Sequence, residues 1–331
     1  MISLKFLLTK LKSANYQGFI DASKRISKIN KKPWLFNLAD CLYCTAKYGS
    51  GHVDYETFEM YALDAKGREN ILTISKNNDL VKMLNIASYR HFFEDKIDFN
   101  EKFNDFIKRD WIRIDKDSFE KFEAFIVKHN KFIAKPIDES CGRGIGLYHV
   151  KDYEAKELFN HLISTKSFLL EEVVVQSDDM KKLAEHSVNT TRVVTILNGD
   201  EVSLVAGCVR MGRGENVVDN FNAGGISGII DVSTGKIVTR GIDRARVEYL
   251  THPDTGTQIL GFQVPMWDEV VKLVTEAAKV VPEVRYVGWD VAISRDYGPL
   301  LIEGNSYPGQ DAAQYPKENL GTYSVMINAI K

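Results

Sequence analysis

Several things are scarce in this sequence, and each scarcity narrows the reading. It has four cysteines, and they do not form a set. Cys41 and Cys44 make a CxxC, but no second ligand pair accompanies them, so neither a four-cysteine zinc site nor a disulfide framework is expected. The pair falls in a helical run and reads as core packing, and so few thiols fit a reducing, cytoplasmic compartment. No apolar run is long enough to span a bilayer. Met1 to Leu11 is apolar, but Lys5 and Lys10 break it and no small-residue cleavage site follows, so it is not read as a signal peptide. The net charge is only −2, which argues against a general nucleic-acid binder. There is no internal repeat, no low-complexity linker and no Gly-Lys-Ser/Thr phosphate loop. His252 stands alone in a His-Pro-Asp-Thr-Gly turn, where a surface hydrogen-bonding role is the usual one.

What is present is an ordinary globular composition, 44% apolar and 27% charged, and a length that suits two or three domains. The charge is uneven: residues 1–32 hold eight Lys or Arg against Asp21 alone. Leu4, Leu7, Leu8 and Leu11 follow the helical period among those lysines. Such a basic amphipathic helix suits either peripheral contact with an anionic membrane, at the inner face, or packing on the protein body. Helical patterns continue over Trp34 to Tyr48, stopped by Gly49-Ser-Gly51, and over Asp54 to Tyr61. Residues 1–90 are therefore expected to be mainly helical, with no catalytic constellation.

From Tyr89 the pattern changes. A helix is expected over Ile97 to Lys108, a strand over Trp111 to Ile114, and a helix from Ser118 to Asn130. Phe132-Ile-Ala-Lys135 is then a strand ending in a lysine. Cys141-Gly-Arg-Gly-Ile-Gly146 follows, and Leu147 to Val150 continues as a strand. The glycines Gly142, Gly144 and Gly146 thus sit in a hairpin, where backbone N–H groups can close around an anion, with Lys135 and Arg143 as fixed positive charges. A plain tight hairpin has the same appearance. Ser167 to Val175 is a strand carrying Glu171 and Glu172 ahead of Val173; taken alone, the acids read as one buried cap and one surface charge. Ser187 to Thr195 alternates, with Thr190, Arg192 and Val194 on one face. Asp219 to Ile226 is a polar, glycine-rich loop of the kind that lies beside a substrate or metal, and Met266 to Val281 is the last long helix.

The most informative stretch is Gly288 to Gly309. Val287 to Ile293 alternates, Asp296-Tyr-Gly-Pro is turn chemistry, and Leu300-Leu-Ile leads into Glu303-Gly-Asn305. Glu303 and Asn305 are two apart, so on a strand they share a face, and folding the hairpin back can bring Asp290 beside them. Two anionic and one neutral oxygen ligand suit a hard cation, with Mg²⁺ the natural candidate and Mn²⁺ an alternative. The same residues would also suit an ordinary hairpin with a solvated polar face.

Taken in order, strand-Lys, glycine hairpin, acid-bearing strand, Arg strand and D…ExN hairpin resembles the ATP-grasp superfamily over roughly residues 90–310. Asp290 to Glu303 is 13 residues and Glu303 to Asn305 is 2, a spacing similar to that of D-alanine–D-alanine ligase. Tyr48-Gly-Ser, Asp54-Tyr55, Gly67-Arg68-Glu69, Asp95-Lys96, Ser187-Val-Asn-Thr-Thr-Arg192, Val218-Asp-Asn220, Gly224-Gly225 and Gly288-Trp-Asp-Val-Ala292 resemble the sugar-transfer-associated ATP-grasp proteins nearly end to end. The resemblance implies an α+β ATP-grasp fold, two subdomains gripping ATP: a lid subdomain over 91–172 and a C-terminal subdomain with the metal site over 173–331. It implies that Lys96 and Lys135 contact ATP phosphates, that Gly142 to Gly146 form the lid, and that Glu171, Glu172 and Val173 line the adenine. Either Asp178 or Asp179 would bind ribose, Asp290, Glu303 and Asn305 would hold Mg²⁺, and Arg192 would face the transferring phosphate or the acyl substrate, acting with Lys135 in catalysis. The family's first domain is usually a small α/β unit, so the helical residues 1–90 leave the acceptor side open.

The implied reaction is ADP-forming carboxylate–amine ligation through an acylphosphate, in cell-surface polysaccharide or related small-molecule biosynthesis, with small-molecule carboxylate and amine substrates. A phosphotransferase acting on a hydroxyl, and a non-catalytic nucleotide-binding partner of a glycosyltransferase, share most of the same residues. The sequence gives neither the oligomeric state nor the identity of the two substrates.

Overall fold

A computed structural model describes residues 16–137, 144–214, 219, 224–310, 314 and 321–331. The expected helix at residues 1–11, Gly142 and Arg143 of the glycine hairpin, and residues 220–223 of the 219–226 loop lie outside these residues.

The chain divides into two units, Met1–Asp79 with Gln314–Ser324, and Leu80–Ala313 with Val325–Lys331. The first holds helices α1 (Tyr16–Asn30), α2 (Trp34–Tyr48), α3 (His52–Thr57) and α4 (Ala65–Asn70), and most of α5 (Ile74–Leu84). In α2, Asn37, Cys41, Cys44 and Tyr48 recur at the helical period and are buried. The CxxC is thus core, packed with Ile26, Tyr55, Phe58, Met60 and Ile71. Burial pushes the Cys41 thiol up to about 12 and the Cys44 thiol to about 11, so both stay protonated. Gly49 ends α2 in the left-handed region, φ 68°, donating to the Thr45 carbonyl. The helix expected over 54–61 is shorter, because Glu59 takes φ 45° and breaks it ahead of a 3₁₀ turn. Asp40 accepts from both Arg68 Nη atoms at 2.8 Å and from the Tyr55 hydroxyl, tying α2 to α3 and α4.

The second unit begins with short helices α6 (His91–Glu94), α7 (Lys96–Lys102) and α8 (Asn104–Ile107). An antiparallel sheet follows, in the order β1 (Trp111–Arg113), β4 (Leu169–Glu172), β2 (Lys131–Lys135), β3 (Gly146–His149). Helices α9 (Phe119–Lys128) and α10 (Ala155–Ser164) share a core with one face of it, through Phe122, Phe125, Phe132, Leu158, Leu162 and Leu170. Opposite residues in an antiparallel pair share a face. Leu170 stands opposite Ala134 and Glu172 opposite Phe132, so Glu172 belongs to the helix-covered face; Glu171 stands opposite Ile133 and belongs to the other.

After α11 (Asp178–Lys181) comes the larger sheet, also antiparallel, in the order β10-β9-β7-β6-β5-β11-β12. Its central strands β5 (Thr190–Asn198) and β11 (Tyr286–Ser294) are buried almost throughout. They are flanked by β6 (Glu201–Met211) and β12 (Gly298–Asn305). Strand β7 (Ile226–Asp231) carries β8 (Lys236–Ile237) and β9 (Gly241–Ile242), and β10 (Glu248–Tyr249) closes the edge. Helix α12 (Trp267–Ala277) buries Trp267, Val270, Leu273, Val274 and Ala277 in the core of this sheet. It starts at Trp267 because Met266 sits at φ 53°. The chain ends in α13 (Tyr323–Ile330). The expected division at residue 172 falls between β4 and β5, within the second unit.

Candidate functional site

Three neighbouring strands set three charged residues on one rung. Arg192 of β5 stands opposite Asp290 of β11, and Asp290 stands opposite Glu303 of β12. The pairing of β11 with β12 shifts register between Asp290 and Val291: above the shift Asp290 faces Glu303, below it Val291 faces Leu301, so β12 carries one extra residue, Ile302. Asn305 lies on the face of Glu303 and its amide donates to Glu303 Oε1 at 3.4 Å. Asp290, Glu303 and Asn305 are therefore brought together.

Asp290 is fully buried, and two arginines hold it. Arg192 Nε and Nη2 each donate at 2.7 Å, one to each carboxylate oxygen, and Arg210 Nη2 lies 2.7 Å from Oδ2. Burial alone would raise the Asp290 carboxyl; the Arg192 and Arg210 guanidiniums outweigh it and hold the group well below the usual range. Both arginines are raised in turn: burial opposes their charge, and Asp290 more than restores it. Arg210 also donates to Thr190 Oγ1 at 3.1 and 2.9 Å, and Asp219 accepts from the Thr190 amide at 2.8 Å. Glu303 is pushed above the ordinary range by removal from water and by the Asp290 charge. Its side chain keeps 51% of its surface accessible, so the neighbouring charge is the stronger cause.

The opposite wall carries the lysines. Asp95 caps α7, accepting from the amides of Ile97 and Asp98 at 2.7 and 3.1 Å, and so fixes Lys96 at the helix start. Lys96 Nζ donates to the carbonyls of Pro136 and Ile137, just after β2. Burial, and then the charge of Lys135, lower its pKa, while the Glu303 and Glu171 charges pull the other way. Lys135 ends β2, and its ammonium pairs with Glu171 Oε2. Glu171 is buried and also accepts from Arg109 Nη2 at 2.7 Å and Asn100 Nδ2 at 2.9 Å. Burial would raise its carboxyl, but Arg109 and Lys135 hold it well below the usual range. Arg109 Nη1 donates to the Leu301 carbonyl at 2.6 Å, and Nη2 to that of Ile302 at 3.4 Å.

The other expected residues lie further out. Gly144 sits at φ 69°, and Gly146 pairs with Ala134 in the β2–β3 hairpin. Glu172 faces away from Lys135 and accepts from the Asp110 amide and the Tyr297 hydroxyl at 3.0 Å. Val173 follows β4 and is half-buried, and exposed Asp179 pairs with Lys182 at 2.6 Å. Sequence reasoning missed Arg210, Arg109 and Asn100, whereas Asp219 opens the polar loop it singled out. Arg210 carried a signal: it is a charged residue inside the apolar run Val205 to Met211.

The donor set fits a hard divalent cation. Asp290 Oδ1 accepts from Arg192 Nε, and a carboxylate oxygen offers two lone-pair positions, so one stays available. Glu303 is accessible, and the Asn305 amide nitrogen is engaged by the Gly288 carbonyl and Glu303, which leaves its oxygen as the donor toward a cation. Asp290 and Glu303 are balanced by Arg192 and Arg210, however, so the cluster offers a bare cation no net negative charge.

A family model described as sugar-transfer associated ATP-grasp matches residues 75–320. No curated protein matches the sequence. Among solved structures the chain is similar to a D-cycloserine synthetase, at 11% identity and TM-score 0.43, over 78% of this chain and 78% of that one. It is similar to D-alanyl-alanine synthetase A from Vibrio cholerae, at 11% identity and TM-score 0.44, over 72% of this chain and 64% of that one. An L-amino acid ligase from Bacillus licheniformis matches at 12% identity and TM-score 0.43, over 73% of this chain and 48% of that one. At these scores the structural likenesses carry no argument about chemistry.

Proposed function

The chain belongs to the sugar-transfer associated ATP-grasp family, and from that premise we propose that it is an ATP-dependent, ADP-forming carboxylate–amine ligase. Its α+β architecture is the ATP-grasp fold expected from the sequence. The observation that carries the proposal is the rung Arg192–Asp290–Glu303 with Arg210 beside it, on a site also lined by Lys96 and Lys135. Acids and cations alternate there, with no protein nucleophile among them. That suits a reaction in which two anions, a carboxylate and a triphosphate, must be brought together.

In this reading Lys96 and Lys135 take the nucleotide's phosphates. Asp290, Glu303 and Asn305 would hold Mg²⁺, which would supply charge neutralisation for the triphosphate. Because Arg192 and Arg210 already balance Asp290 and Glu303, these residues would hold the cation as its nucleotide complex rather than bare. A substrate carboxylate oxygen attacks the γ-phosphorus, the bond to the bridging oxygen breaks, and ADP leaves. An amine then attacks the acyl carbon and phosphate departs. Arg192, held against Asp290, stabilises the charge that builds on the transferring group. The glycine hairpin between β2 and β3 excludes water from the acylphosphate. The family's association with sugar transfer supports substrates in cell-surface polysaccharide or related small-molecule biosynthesis.

The test is a screen of amino acids and uronic acids for stimulated ADP release, with hydroxylamine added. An acyl hydroxamate that forms only with ATP and one carboxylate is the expected result. ADP release with a phosphorylated alcohol and no hydroxamate would replace the ligase with a kinase.

A further inference from the structure

We propose that the N-terminal helical unit docks on an anionic phospholipid surface through the outer face of α2 and its turn with α1. Helix α2 has two apolar stripes. One is buried. The other, Leu35, Ala39, Leu42 and Ala46, recurs at the same period on the outer side, flanked by Phe36 and Tyr43, and all six side chains are exposed. One stripe is what a helix needs to pack on a protein body; a second demands a partner. Among the described residues, eight of the 21 exposed large apolar side chains fall within residues 16–53, so the exposure is concentrated rather than scattered.

Charge selects the partner. Residues 16–53 carry six Lys or Arg against Asp21 and Asp40, in a chain whose net charge is −2. Asp40 is turned inward, bound by Arg68 and Tyr55. The lysines stand beside the exposed rings: Lys24 Nζ is 5.7 Å from the centre of Trp34, Lys32 5.0 Å from Phe36 and Lys47 5.5 Å from Tyr43. Aromatic and aliphatic side chains rimmed by ammonium groups suit the acyl–headgroup boundary, where rings and leucines enter and lysines meet phosphate. A nucleic acid would match the charge but not the leucine stripe. A second copy would set two basic faces together.

The test is co-sedimentation of the full chain with vesicles of phosphatidylglycerol and phosphatidylcholine in equal parts, and with phosphatidylcholine alone. Binding to the first and not the second is expected, weakened by high salt. The Leu35→Glu/Leu42→Glu variant should lose about tenfold or more of that affinity. Lys24→Glu/Lys32→Glu, which alters two exposed lysines and no core contact, should lose a similar factor. Circular dichroism controls for folding. Vesicle binding unchanged in both variants overturns the proposal, as does absence of binding to anionic vesicles. So does a concentration-dependent dimer that Leu35→Glu/Leu42→Glu dissolves, or RNA binding in place of lipid binding. None of these readouts depends on the ligase assignment.

Discussion

Arg109 and Glu171 are joined by a buried hydrogen bond of 2.7 Å, and the same guanidinium reaches the carbonyls of Leu301 and Ile302. One side chain thus fixes both the acid beneath Lys135 and the strand that leads to Glu303. Arg109→Leu would leave Glu171 buried with less than its full set of partners. Breaking a buried pair on one side costs about 3–5 kcal/mol. Urea unfolding should show a loss of that order, and an unchanged midpoint would mean that Arg109 is not what holds the acid in place.

The two acids of the rung separate structure from chemistry. Asp290 is the shared counter-ion of Arg192 and Arg210, so Asp290→Asn should abolish ADP release and also lower stability, by about 3–5 kcal/mol. Half-exposed Glu303 has no such burden. Glu303→Gln should abolish turnover with stability changed by less than about 1 kcal/mol. ADP release at the parental rate in Glu303→Gln would remove it from the metal set.

Lys135→Ala should weaken ATP binding by about tenfold or more, a loss that calorimetry can read. Stability should fall less than in the Arg109 variant, because Arg109 and Asn100 still hold Glu171. Parental affinity would take Lys135 out of the phosphate site.

Gly304 lies between Glu303 and Asn305 and points to the opposite face. A Cβ there would come within 2.9 Å of Phe99 and 3.0 Å of Phe93 and Trp289. Gly304→Ala should therefore push on an aromatic cluster directly beneath the ligands, costing about 1–3 kcal/mol and lowering turnover through displacement of Glu303. Full turnover with reduced stability would show that the strand absorbs the push without moving the acid.

Acid should unfold the second unit earlier than its composition suggests. Glu171 and Asp290 are held below their ordinary values of 4.5 and 3.8, so the unfolded chain binds protons that the folded chain does not. Their contribution is complete above those ordinary values and is lost as pH falls below them, toward the depressed folded values. Glu303 is raised and works in the opposite sense, weakly because water reaches it. Urea midpoints should be level near neutrality and drop steeply below about pH 4; a flat profile into that range would contradict the two depressed carboxyls.

Much of this is readable in the amino-acid sequence. Period-two alternation puts Glu303 and Asn305 on one face, but bringing Asp290 to that face needs the extra residue of β12, which no local pattern encodes. Lys135 follows from a strand ending at a glycine loop, and the buried CxxC from helical periodicity. Arg210 needed the β5–β6 pairing, since its bond to Asp290 spans strands with no direct register between them. Alternation also puts Glu171 and Glu172 on opposite faces. Which of them meets Lys135 depends on where α9 and α10 pack, and no local pattern encodes that. Arg109 was invisible for the same reason: its partners lie 62 and 192 positions away.

The extra residue in β12 sets a counting rule for the site. With the turn as it is, Ser294 pairs with Gly298 and Val291 with Leu301. Continued without interruption, that frame would put Ile302 opposite Asp290 and turn Glu303 and Asn305 toward the core with Trp289. A hairpin has a reading frame of two, and acids thirteen positions apart are out of frame. One unpaired residue restores it. Insertion or deletion of a single residue in this hairpin would therefore separate the acids onto opposite faces, whereas a change of two would leave them together.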